Sequence, residues 1–227
     1  LNLSANGRLN AGPCSCSIIS MMPRFNLKKT ILVILVTASL ATLFGYLQYR
    51  HLVGFYLKQA SAFVQDRQGK VLLVRPNSRG YYNLPLNQLP SRLAELLVAK
   101  EDQSFYWHFG LNPKSLLESL LGRLGLGNRQ ASSTITQQLV KVLLKHESDR
   151  TWQNKIEEML YAFSLEAFQS KNEILKMYAN SIYFGNLAQG VFEASRFYFN
   201  ADPATLTDGQ ILQLLATIPS PTDNNPI

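Results

Sequence analysis

Hydrophobic positions run without interruption in one place. Between Lys29 and Arg50 lie twenty uncharged residues, TILVILVTASLATLFGYLQY, with no polar stripe. At 1.5 Å per residue such a run reaches about 30 Å, the thickness of a bilayer core. A core helix of that length would show a polar face. A signal peptide would carry a shorter apolar region followed by a small-x-small site. The pattern therefore predicts one membrane anchor over residues 30–49. Arg24, Lys28 and Lys29 precede it, while Arg50, Lys58 and Arg67 follow. The tighter basic cluster lies before the span and favours a cytoplasmic segment over residues 1–29. That segment has no helical or strand period. Met21 or Met22 would be a more natural start than Leu1, so the first twenty residues read as an upstream extension without a fold.

After the anchor the period changes. SAFVQDRQGKVLLVRP, residues 61–76, alternates around a turn at Gln68-Gly69 and predicts a β-hairpin. From Pro90 onward the spacing is helical. Ser91 is placed to cap a helix running to about Gln103, and Asn112-Pro113 to open another through SLLESLLGRL. Gly122, Gly125, Gly127 and Asn128 mark a mobile loop. The Ser-Thr run at 132–134 starts a helix ending near His146. From Thr151 the next presents Trp152, Ile156, Leu160, Phe163 and Ala167 on one apolar face, with Ile156 and Leu160 expected to point to the core. Ser170 with Glu173, and Thr207 with Gln210, read as capping boxes, and Pro219 ends the last helix. The fold class is mostly α with a small β-hairpin, preceded by one transmembrane helix. The domain itself is expected over residues 50–227.

Composition sharpens this picture. A charged fraction of 16% is low against the usual value of about 25% and points to contact with lipid. Both cysteines, Cys14 and Cys16, lie near one end, which excludes a disulfide scaffold and a cysteine nucleophile in the main body. Of the net charge of +7, Arg8, Arg24, Lys28 and Lys29 supply +4 before the span, leaving +3 for the rest. Nucleic acid drops out as a partner. A phosphate-binding G-x-x-x-x-G-K-[ST] loop, a dinucleotide fingerprint, H-E-x-x-H and G-x-S-x-G are all absent.

Three polar clusters remain. In EDQSFYWHFG, residues 101–110, Glu101 and Asp102 stand at a helix carboxyl end. Unsatisfied carbonyls there disfavour negative charge and would raise a carboxyl pKa toward that of a general base. From position alone, a solvated helix end is the favoured reading of Glu101 and a structural hydrogen-bonder that of His108. In SSTITQQLVK, residues 132–141, hydroxyls and free N–H groups at a helix start can hold an anion, and Gln137 and Lys141 lie one turn apart. In RTWQNKIEE, residues 150–158, Lys155 and Glu158 share a face. Alone they would be a surface ion pair of little consequence. With Lys141 and Arg150, Lys155 could form a cationic floor beneath a pyrophosphate.

In this order and spacing, the segments resemble the peptidoglycan glycosyltransferase family. Its members are monofunctional enzymes and the amino-terminal part of class A penicillin-binding proteins. Glu101-Asp102, Phe105, His108 and Gly110 match the first motif. Ser133-Thr134-Ile135-Thr136-Gln137-Gln138 with Lys141 match the second, and Arg150, Lys155 and Glu158 the third. KNEILKMYANSIYFG matches the fourth, and Gly190 through Tyr198-Phe199 the fifth. The resemblance runs from about Val64 to Pro226. It implies a lysozyme-like helical fold whose jaw, over residues 116–126, dips into the membrane. It also implies polymerisation of lipid II onto a nascent glycan strand at the cytoplasmic (inner) membrane, with the catalytic domain outside the cytoplasm.

Carried over, the resemblance makes Glu101 the base and Glu158 the second catalytic carboxylate, which organises the donor pyrophosphate with Lys155. Asp102, Phe105, His108, Ser133, Thr134, Gln137, Lys141, Arg150 and Asn180 become substrate-binding residues. The family allows a divalent cation (Mg or Mn) at the pyrophosphate, but nothing here spells a dedicated metal site. Other wall-synthesis or division proteins are the expected partners. The chain stops where a class A protein would continue toward its transpeptidase domain, so the expectation is a monofunctional protein or a piece that does not bind penicillin.

Five positions depart from the pattern. Asn154 stands where arginine is usual, Ala131 and Ser132 replace glycines, Val142 replaces asparagine and Ala179 replaces leucine. Loss of the cation at 154 opens the alternative of a catalytically weak relative acting as a lipid II-binding or interaction module. A lytic muramidase is disfavoured, since hydrolysis also requires an acid partner.

Overall fold

The computed structural model describes residues 26–69, 71–113, 133–145, 151–221, 224 and 226. The unpatterned first 25 residues, the helix expected after Pro113, the glycine-rich loop, the jaw, Ala131, Ser132 and Arg150 lie outside the described residues. The chain divides into two compact units, Leu1–Leu40 and Ala41–Ile227.

A helix, α1, runs from Leu27 to Leu57. In the first unit its apolar side chains, Ile31, Leu32, Val33 and Leu35 among them, all face outward. The helix is long and apolar enough to cross a bilayer. Within the second unit its later turns pack on protein. Leu52 is fully buried. The Phe168 ring sits 5.6 Å from both Tyr46 and Tyr49. Ser164 donates to Gln48 at 2.6 Å and Gln169 to the Tyr49 hydroxyl at 2.9 Å. Gln48 and Tyr49, counted with the anchor from their hydropathy, thus also bond to the domain.

Strands β1 (Ala62–Gln65) and β2 (Val71–Arg75) form an antiparallel hairpin, closed by a turn in which Gly69 adopts φ 83°. The helices that follow are α2 (Ser91–Glu101), α3 (Ile135–Leu144), α4 (Trp152–Phe168), α5 (Lys171–Ser181), α6 (Val191–Phe199) and α7 (Asp208–Thr217). α3 is the central helix. Ile135, Leu139, Val140 and Leu143 are fully buried, and α3 packs on both α4 and α5 while α2 packs on α7.

Helix starts follow local cap chemistry. Thr134 and Gln137 make a reciprocal capping box for α3, as Thr207 and Gln210 do for α7. Thr151 caps α4. Two expectations need correction. At α2, Pro90 rather than Ser91 occupies the cap position, no side-chain cap bond forms, and the helix stops at Glu101. At α5, Ser170 accepts from the Glu173 N–H, but the Glu173 carboxylate turns to Lys176 at 2.8 Å instead of reaching back.

The larger correction concerns α4. Its apolar stripe faces outward, with Trp152 64%, Ile156 56%, Leu160 50% and Phe163 55% exposed. The buried side carries Glu158, Ala162, Ser164, Leu165 and Glu166. Those carboxylates can turn inward because each meets a cation. Glu166 takes Lys171 at 2.7 Å and the Thr136 hydroxyl at 2.6 Å, and Glu158 takes Lys155 at 3.2 Å.

Candidate functional site

Glu101 closes α2, and its side chain lies against α3. Lys100 donates to Glu101 Oε1 at 2.7 Å and, from the same ammonium, to the Leu215 carbonyl at 2.7 Å. The Gln138 amide donates to Glu101 Oε2 at 3.3 Å and to the Ser133 carbonyl at 3.2 Å. Behind it, the Tyr178 hydroxyl donates to Gln138 Oε1 at 2.6 Å. Burial first, and then the Glu101 charge, push the Tyr178 phenol well above its ordinary value, so it stays a neutral donor. Tyr178 fixes which way the Gln138 amide points, and Gln138 thereby presents its N–H to the carboxylate. Lys100, Gln138 and Tyr178 were not singled out as site residues. Gln138 and Tyr178 do stand inside the quoted motifs, and a polar side chain on the buried face of a helix was the signal available for each.

Lys155 is the second centre. Its ammonium lies 3.3 Å from Ser133 Oγ, 3.3 Å from Gln137 Oε1 and 3.2 Å from Glu158 Oε2. Glu158 is nearly buried and Lys155 about one-third exposed, so the pair is more than a solvated surface contact. Ser133 joins the two centres: its carbonyl receives the amide that braces Glu101, and its hydroxyl receives Lys155. Lys141 lies one turn after Gln137 on α3, half-exposed, and among the described residues its ammonium has no ion pair.

Five residues expected to bind substrate are buried or almost inaccessible and engaged by protein. Phe105 is fully buried in the core, with the Lys171 ammonium 4.4 Å from its ring centre. Thr134 is buried, caps α3 and donates to the Gly110 carbonyl at 2.7 Å. His108 donates from Nε2 to Asp102 Oδ2 at 2.8 Å, both side chains being almost inaccessible. Asp102 also receives the Ile135 N–H at 3.2 Å and the Ser104 hydroxyl at 3.2 Å. Asn180, 1% exposed, exchanges hydrogen bonds with Leu86 and donates to the Tyr56 hydroxyl. All five are enclosed by protein, and of them His108 keeps a buried ring nitrogen, Nδ1, without a partner among the described residues.

This framework carries two measurable consequences. Gly110 has φ 76°, and a Cβ there would stand 3.0 Å from the Ala162 carbonyl oxygen and 3.1 Å from Glu166 Cγ. Gly110→Ala is expected to cost about 1–3 kcal/mol, read from the midpoint of chemical unfolding. Burial pushes the Asp102 carboxyl up. The bond and charge of His108, then the Ile135 N–H and Ser104, outweigh it and hold the group below its ordinary value. A depressed folded pKa contributes stability that is present above the unfolded value and lost as pH falls through the folded one. Thermal melts should therefore lose stability below about pH 4, and Asp102→Asn should flatten that acid limb while lowering stability at neutral pH.

A divalent cation would find few ligands among these groups. Among the described residues no three His, Cys, Asp or Glu side chains converge, and both site carboxylates already face an ammonium. The donor set does not fit a protein-held divalent ion.

The sequence is similar to those of known proteins. A family profile described as Transglycosylase matches residues 68–227. The chain is 33% identical over 201 residues to penicillin-binding protein 1F of Bacillus subtilis, covering 84% of this chain and 28% of that protein. It is 41% identical over 139 residues to penicillin-binding protein 2D of the same organism, covering 61% and 20%. Penicillin-binding protein 1A of Neisseria lactamica is 32% identical over 165 residues, covering 72% and 20%. The chain thus spans less than a third of the length of each of these relatives.

Proposed function

This chain belongs to the transglycosylase family, and from that premise we propose that it polymerises lipid II into β-1,4-linked glycan strands of peptidoglycan. Glu101 takes the proton from the 4-hydroxyl of the acceptor's GlcNAc. The freed oxygen attacks C1 of the donor's MurNAc, the bond from C1 to the pyrophosphate oxygen breaks, and undecaprenyl pyrophosphate leaves. Attack opposite the leaving group converts an α-linked donor into a β product. The leaving group departs as a stable anion, so a base and a cation are needed and a general acid is not.

The observation that carries this reading is the Ser133 junction, which sets a braced carboxylate and a lysine ammonium on either side of one residue. Lys155 faces the developing pyrophosphate charge, with Ser133 and Gln137 as neutral donors beside it and Lys141 a turn away. Glu158 acts as a positioning residue by holding Lys155. The long apolar helix fits a single-pass anchor in the cytoplasmic membrane with the catalytic domain outside. The outward apolar face of α4 suits work at a bilayer surface. Incubation of the purified chain with lipid II, with and without chelator, tests the reading. Glycan ladders are expected in both arms, and no lipid II consumption in either would overturn it.

Asn154 favours a second reading, a weak relative that binds lipid II. It sits half-buried in the first turn of α4, its N–H on the Thr151 cap. Asn154→Arg would add a charge-assisted contact of about 1.5–3 kcal/mol to the leaving group and is expected to raise the initial rate about tenfold or more. Tight lipid II binding without turnover in wild type would favour the second reading.

A further inference from the structure

At the far end of α3 from the Lys155 centre, a separate cavity of about 360 Å³ is lined by Ser78, Arg79, Tyr81, Lys145, Ser181 and Tyr183, with Val142 and Gln189 completing its wall. Ser133 and Gln137 lie at the start of α3 and Lys145 caps its end, so the two sites are about 15 Å apart along a ten-residue helix.

Among the described residues the lining brings two cations and no carboxylate. Among the described residues neither Arg79 nor Lys145 has an ion-pair partner. A helix carboxyl end would ordinarily repel an anion, but here two of its last carbonyls are covered. The Arg79 guanidinium donates to the Val142 and Leu143 carbonyls, both at 3.4 Å. These long contacts use two of its five N–H donors. Ser181 is wholly buried, and its hydroxyl has no hydrogen-bond partner among the described residues, an unmet need rare in folded proteins. Tyr81 and Tyr183 form a wall, with ring centres 4.8 Å apart. The Tyr183 oxygen accepts from the Leu187 N–H at 3.3 Å, which leaves its own proton free to donate. Gln189 is committed to holding the wall, accepting from Asn77 and donating to the Ser181 carbonyl.

We propose that this cavity is a second anion site, which binds the phosphate of a phosphate ester through Lys145, Arg79 and the Ser181 hydroxyl. Its volume is in the range of small-ligand sites and exceeds what a bare phosphate fills, leaving room for the polar group that carries it. The ester has two sources, a soluble polyol phosphate or a lipid headgroup, and the experiment separates them.

The full chain in detergent micelles is titrated calorimetrically with glycerol phosphate at low salt. Wild type binds. Lys145→Gln weakens binding about fivefold or more, Ser181→Ala weakens it less, and Lys145→Arg retains it. Lys155→Gln leaves this affinity unchanged, and Lys145→Gln polymerises lipid II at the wild-type rate. Parallel measurements use nanodiscs of phosphatidylglycerol and of phosphatidylcholine. Loss of the preference for phosphatidylglycerol in Lys145→Gln assigns the site to headgroups, and an unchanged preference assigns it to soluble esters. Absence of glycerol phosphate binding to wild type overturns the proposal, as does binding that survives Lys145→Gln and is lost in Lys155→Gln.

Discussion

Glu101→Gln is expected to lower the rate of lipid II polymerisation by about two to four orders of magnitude, the usual contribution of a positioned general base, with little change in KM. Glutamine keeps the shape of the side chain and an oxygen for one neighbour, but its amide has no basic lone pair to accept the acceptor's proton. The surroundings should tolerate the change. Lys100 retains its 2.7 Å bond to the Leu215 carbonyl, and Gln138 retains the Tyr178 hydroxyl and the Ser133 carbonyl. Loss of turnover with an unshifted melting temperature would identify a chemical role. Equal loss in Tyr178→Phe would instead point to the brace behind the carboxylate, and that variant is expected to show a smaller deficit.

Lys155→Gln should be nearly as severe and should differ in kind. The ammonium contacts Ser133, Gln137 and Glu158 at once, so its removal takes a cation from the leaving group and leaves a nearly buried carboxylate unpaired. Loss of a preorganised electrostatic contact costs about 10²–10³ in kcat, and the orphaned Glu158 about 1–3 kcal/mol of stability. The two losses can be separated. Lys155→Gln combined with Glu158→Gln should recover most of the stability, because two neutral amides can pair, while activity stays low. A double variant that regained activity would remove Lys155 from the chemistry and leave it a structural role.

The ends of α3, α4 and α7 were legible because cap chemistry is decided within four residues: Thr134, Thr151 and Thr207 each serve the helix that follows. Glu101 was legible as a carboxylate at a helix end for the same reason. The Gln138–Tyr178 brace was not, since it joins α3 to α5 across 40 residues of chain, and no local pattern encodes that meeting. The sidedness of α4 was misread because a 3.6-residue period shows that a helix has an apolar face but not what faces it. Glu158 and Glu166 found cations inside, so the polar side became the packed one. Motif resemblance brought Phe105, His108, Thr134 and Asn180 forward with Glu101 and Lys155, yet motifs alone do not separate residues that meet substrate from those that hold the frame. Burial is the structural difference that sets Phe105, Thr134 and Asn180 apart from Lys155.

The most direct test of the central claim is the product formed when purified wild-type chain is incubated with lipid II, followed by NMR of the anomeric linkage and quantitation of the released lipid. The account predicts one undecaprenyl pyrophosphate per new bond and β-1,4-linked strands, with both signals lost together in Glu101→Gln. Strands formed at the wild-type rate by Glu101→Gln, or an α-linked product from wild type, would contradict it.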